Sequence, residues 1–128
     1  MMNSPLRKLS ILTALTVSLF SASNLASAGK ADVVKVTYHK LSSGNYNFHV
    51  SIQHDDSGWD HYANRWEILD LQGNILAVRD LRHPQLDKET YQKTKNNIEI
   101  PEGIRTVQVR AHDIMHGYGG NVMTVELE

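Results

Sequence analysis

Residues 45–53 read NYNFHVSIQ, with Tyr46, Phe48, Val50 and Ile52 on every second position and Asn47, His49, Ser51 and Gln53 between them. A period of two sends successive side chains to opposite faces, so this is a strand with one apolar and one polar face. The same pattern continues outward on both sides. DVVKVTYHK (32–40) places Val34, Val36 and Tyr38 on one face. RWEILDL (65–71) carries Trp66 and Ile68, and NILAVRDL (74–81) follows the turn residues Gln72-Gly73. KTKNNIEI (93–100) ends in Ile98 and Ile100, TVQVRA (106–111) alternates Val107, Val109 and Ala111, and VMTVEL (122–127) alternates Met123, Val125 and Leu127. No convincing helix period is present.

Seven short strands separated by turn residues predict an all-β domain, a single antiparallel β-sandwich of immunoglobulin or fibronectin type. A small closed barrel is the alternative. Trp66 falls on the third strand, where such sandwiches often bury a tryptophan, but the chain has no cysteine to make an inter-sheet disulfide. RHPQLDKETY (82–91) contains His83-Pro84, and proline rules out a central strand there. It reads as a long loop, with room for a short helical turn at Asp87-Lys88-Glu89.

The N-terminal 28 residues read differently. Arg7 and Lys8 precede ILTALTVSLF (11–20), an apolar run too short to span a bilayer, and Ala26-Ser27-Ala28 has the small-x-small pattern of a cleavage site. Residues 1–28 are therefore expected to be a signal peptide and 29–128 the exported domain, periplasmic or secreted, starting at Gly29. No cysteine follows the apolar run to carry a lipid anchor, and no membrane insertion is expected after cleavage. Residues 29–128 hold eleven basic and fourteen acidic residues, a net charge of −3, which speaks against nucleic acid as a partner. Without cysteine, the domain has neither disulfides nor thiolate chemistry.

If successive strands run antiparallel, the connections alternate between two ends. The short turns at 41–44, 72–73 and 101–103 share one end, and the long ones at 54–64, 82–92 and 112–121 share the other. Five of the seven histidines lie in the long connections: His54 and His61, then His83, then His112 and His116. They are expected to form one site for a transition metal, copper or zinc, because several imidazoles together suit those ions. Copper is put slightly ahead because thiols are absent and Met115 lies between two of the histidines. Asp60 and Asp113 are assigned to orienting the rings, and Trp59 and Tyr118 to walling off the site. Gly117, Gly119 and Gly120 would let the backbone fold back sharply. A purely structural cluster is the competing reading, since Asp, His and Gly together also suit a self-capping loop.

GWDHYANRWEILD (58–70), His83-Pro84 and IPEGIRTVQVRAHDIMHGYGG (100–120) resemble stretches of small exported bacterial proteins. The resemblance implies an exported, self-contained domain and brings no activity with it. No nucleophile elbow or phosphate-cradling loop is present, so an enzyme is the less favoured expectation. Ser57, His61 and Asp60 can be drawn as a triad, but nothing in their spacing demands it. The rival to metal binding is a non-enzymatic recognition module that contacts an envelope protein or a small polar ligand through the same loops.

Overall fold

Phe48, Val50 and Ile52 are completely buried, as the alternation in 45–53 requires, and the strand they build lies at the centre of a three-stranded sheet. A computed structural model describes residues 29–128 in full and the strand segments Leu15–Ser18 and Phe20–Ser21. The rest of the expected signal peptide, residues 1–28, lies outside the described residues. The seven strands of the domain are β1 (Asp32–Lys40), β2 (Tyr46–Gln53), β3 (Ala63–Leu69), β4 (Ile75–Asp80), β5 (Thr90–Ile98), β6 (Thr106–Asp113) and β7 (Met123–Glu126). One antiparallel sheet has the order β1-β2-β5 and the other β7-β6-β3-β4. Leu15–Ser18 pairs with β1 and Phe20–Ser21 with β7, each antiparallel.

The inward rows of the two sheets meet in one core, in which Val36, Tyr38, Trp66, Ile68, Val107, Val109 and Val125 are all buried. Trp66 also ties the sheets together, since its indole N–H on β3 donates to the Lys93 carbonyl on β5 at 3.2 Å. Arg79 on β4 donates to the Thr94 carbonyl on β5 at 2.8 Å, fastening the neighbouring edge. At the far end, the Tyr38 and Tyr46 hydroxyls donate to the carbonyls of Glu126 and Glu128 at 3.1 and 2.8 Å.

Two expectations need correction. Val34 does not share a face with Val36 and Tyr38. The register on β2 slips between Val33 and Lys35, and this bulge turns Val33 inward and leaves Val34 exposed. No helix forms at Asp87-Lys88-Glu89. Residues 81–89 are irregular, and β5 begins at Thr90, three residues earlier than the apolar pattern suggested.

Because 81–89 holds no strand, the alternation of ends survives. Three backbone bonds join the long loops at one pole: His54 N–H to Glu89 O (2.8 Å), Ile114 N–H to Tyr62 O (3.1 Å) and Val33 N–H to Asn121 O (2.9 Å). The last also brings the start of the domain, Gly29 to Ala31, to that pole.

Candidate metal centre

The inward row of β2 does not stop at Ile52. His54 and Asp56 continue the alternation past the strand end and are both buried. The inward row of β6, Val107, Val109 and Ala111, likewise continues to Asp113, which is fully buried. The core is thus capped at this pole by a polar plug rather than by aliphatic side chains.

Asp113 is its centre. Its Oδ1 accepts the backbone N–H groups of Met115 (2.5 Å) and His116 (3.0 Å), an Asx-type turn. The loop closes by paired backbone bonds between Asp113 and Gly117, whose φ of +73° suits glycine. With Oδ1 so engaged, Oδ2 faces three imidazoles: His54 Nε2 at 2.6 Å, His61 Nε2 at 3.0 Å and His116 Nδ1 at 3.2 Å. Ligand atoms of His54, His61 and Asp113 lie within 4.8 Å of one another, a group that could hold a metal ion. The ring of His61 stands between the other two, with centroids 4.9 Å from His54 and 5.0 Å from His116. A turn in which Ser57 N–H donates to His61 O and His61 N–H to Gly58 O holds that ring in place.

Behind the cluster, the other nitrogen of His54 is 2.5 Å from Asp56 Oδ1. Asp56 also accepts from Ala63 N–H (3.2 Å), Gln85 N–H (2.6 Å) and the Tyr91 hydroxyl (3.3 Å). A carboxylate on the far nitrogen of a ligating imidazole fixes both its tautomer and its direction. Ser57 Oγ, at 3.3 Å from His61 Nδ1, gives His61 a weaker version of the same support. In the Ser57-His61 pairing considered from sequence, the carboxylate is therefore Asp113 and not Asp60.

The electrostatics follow. Burial opposes ionisation of Asp113, but bonds from the His116 backbone and ring, from His54 and from the Met115 backbone outweigh it and hold its pKa at about 2. Burial likewise opposes charge on His54, yet the bonds to Asp56 and Asp113 prevail and raise its pKa above the ordinary value. Burial and the adjacent Asp56 carboxylate raise that of the Tyr91 hydroxyl. The plug is therefore one imidazole held between two acidic side chains, which favour its protonated form, with two further rings at its outer side.

Of the five histidines expected here, the fold brings together His54, His61 and His116. His112 is turned away, because it occupies the outward phase of β6; its Nδ1 meets Asn64 Oδ1 at 2.7 Å, and burial lowers its pKa. His83 is exposed and lies beside Trp59, with ring centroids 5.9 Å apart. Asp60 is exposed and packs near Gly58, so the orienting carboxylate is Asp56 instead. Asp113, assigned to orientation, is itself a potential ligand. Trp59 is 66% exposed and covers Tyr62 and His83 rather than the cluster. Tyr118 folds onto the outer face of the second sheet, where its hydroxyl donates to the buried Glu67 at 2.8 Å and Arg110 stacks on its ring at 3.8 Å. The Met115 side chain is exposed, and what that residue gives the site is its backbone N–H.

No family model matches the sequence. No solved structure matches it either. Among curated proteins, the chain is 41% identical over 100 residues to a protein of Halomicrobium mukohataei named "Putative lipoprotein". The match takes in 77% of this chain and 48% of that protein, so the chain spans about half the length of the curated relative it matches.

Proposed function

We propose that this is an exported protein whose domain, a sandwich of fibronectin-like strand order, binds a copper or zinc ion at His54, His61, His116 and Asp113. Export is supported by the leader-like N-terminus and by a relative named as a lipoprotein. The observation that carries the metal reading is the convergence of three imidazole nitrogens on one carboxylate oxygen, at 2.6, 3.0 and 3.2 Å. Donors bound to one zinc ion at about 2.0–2.1 Å stand about 3.3 Å apart in a tetrahedron. The three nitrogens therefore need only draw back from Oδ2 by less than about an ångström to share an ion with it. The ion replaces ring protons, because an imidazole must be neutral to ligate. Asp56 keeps the far N–H of His54 and so the ligand's orientation. Three nitrogen donors and one oxygen donor suit copper(II) or zinc better than calcium or magnesium, which prefer oxygen. The role would be binding or handing over the ion in the envelope.

Metal analysis of the purified protein by mass spectrometry, followed by competition titration with Cu(II) and Zn(II), tests this reading. Replacing a supporting group typically weakens a metal about 10–100-fold, and the double variant His61→Ala/His116→Ala should reach at least the upper figure. His112→Ala should leave affinity unchanged, since that ring faces Asn64. Equal losses from His112→Ala and from the double variant would overturn the assignment, as would a double variant that binds like the parent.

A recognition role through the same pole has one observation in its favour. Trp59, Leu86, Ile114 and Met115 are large apolar side chains left exposed on the loops around the cluster. The rings of His54, His61 and His116 turn toward one another rather than outward, which favours the metal reading over this one.

A further inference from the structure

Gly29 lies against all three rings of the imidazole cluster. Its carbonyl oxygen lies 3.3 Å from His54 Nε2 and 3.3 Å from His61 Nε2. A Cβ added to it would stand 2.8 Å from Cε1 of His116, so this residue packs directly on the third ring. With φ at +77°, it adopts a backbone conformation natural to glycine. Its position is held by the loop that follows the histidines. Asn121 N–H donates to Asp32 Oδ1 at 2.7 Å, Asn121 O accepts Val33 N–H at 2.9 Å, and Gly120 lies directly against the Ala31 carbonyl. The start of the domain therefore closes one side of the cluster.

We infer that removal of the leader between Ala28 and Gly29 completes the metal centre, with the freed α-amino nitrogen and carbonyl oxygen of Gly29 joining the histidines as ligands. The inference rests on the metal reading above and adds to it a maturation step. Hydrolysis of the Ala28–Gly29 peptide bond by a signal-peptidase-type protease consumes one water and leaves a carboxylate on Ala28 and an ammonium on Gly29. In the uncleaved chain, that nitrogen is an amide whose lone pair is delocalised into the preceding carbonyl, which makes it a poor ligand. Once freed, it loses a proton to solvent as the ion binds. The nitrogen and the carbonyl oxygen are separated by two carbons, so one ion held by both closes a five-membered ring. Tight binding then follows export, and the cytoplasmic precursor stays a weak competitor for the ion.

The test expresses the full chain with its leader, isolates the processed product and sequences its N-terminus, which should begin at Gly29. Cu(II) is then titrated into the processed protein, into the same folded protein acetylated selectively at its α-amine, and into processed His61→Ala. Acetylation should weaken Cu(II) at least about tenfold and remove one nitrogen donor from the copper paramagnetic resonance spectrum. His61→Ala should weaken it as well. A different N-terminus, or acetylation without effect while His61→Ala weakens binding, overturns this inference and leaves the histidine site standing. Copper retained in full by His61→Ala but lost on acetylation shows binding at the terminus alone and overturns the joint site. Indifference to both changes, or no binding in any form, overturns the metal reading itself.

Discussion

Asp113 divides its work between two oxygens, one satisfied by the backbone of its own loop and the other turned to three side chains. That division explains how a carboxylate can be fully buried and yet charged, since the bonds it accepts outweigh the loss of water. Asp56 has the opposite character. It faces no outer ring, and its bonds run to His54, to two backbone N–H groups and to Tyr91. Replacing Asp56 by Ala would leave buried His54 with one acidic partner, Asp113, in place of two and the other donors unpaired, a loss of about 3–5 kcal/mol by analogy with broken buried ion pairs. Chemical denaturation of the metal-free protein measures it. A loss below 1 kcal/mol would mean that the plug is not a stabilising network. Asp56 and Asp113 were partly legible: carrying the alternation of 45–53 and of 106–111 two to four residues further points His54, Asp56 and Asp113 inward and His112 outward. The density of histidine in the loop carries no such phase, and His112 belongs to the outward row.

At the scale of an element, the loop from 114 to 122 does two jobs. Its first turn aims His116, and its glycines make room for the beginning of the domain. Gly119 lies against the Lys30 side chain, and a Cβ at Gly120 would overlap the Ala31 carbonyl oxygen. Backbone cannot yield as a flexible side chain can, so Gly120→Ala should cost about 1–3 kcal/mol, the range for overpacking, and should displace Gly29 from the rings. Thermal unfolding, together with the Cu(II) titration, checks both effects; Gly29→Ala, which meets the His116 ring, should hurt the titration more than the unfolding. A sequence can suggest that clustered glycines permit a sharp turn, and φ values of +73° at Gly117 and +121° at Gly119 agree with this. It cannot say that Gly120 is there for the Ala31 carbonyl, eighty-nine positions earlier, because such an approach has no local signal.

For the molecule as a whole, the charged groups set a pH window. Asp113 at about 2, and Glu67, whose pKa is lowered by Arg65, Arg110 and Tyr118 against the opposing effect of burial, are both depressed by folding. Each contributes stability that is present above its unfolded value and lost as pH falls through its folded one. His54 is raised, so its contribution is full below its ordinary 6.5 and lost as pH rises through the folded value. The metal-free protein should therefore be most stable between roughly pH 4.5 and 6.5 and weaken on both sides. Denaturant midpoints across pH 2 to 9 test this; in His54→Gln the weakening on the alkaline side should disappear. An unchanged alkaline limb in that variant would show that another group is responsible.

Strand number, approximate strand positions and the inward residues could be read in one dimension, because a half-buried sheet imposes a period of two on the chain that makes it. So could the gathering of the long loops at one pole, since antiparallel succession reverses direction at each connection. The bulge at Val34, the partners of Asp56 and the arrival of Gly29 beneath His116 could not. Each depends on distances between segments far apart in order, and such distances exist only once the two sheets have closed on their shared core.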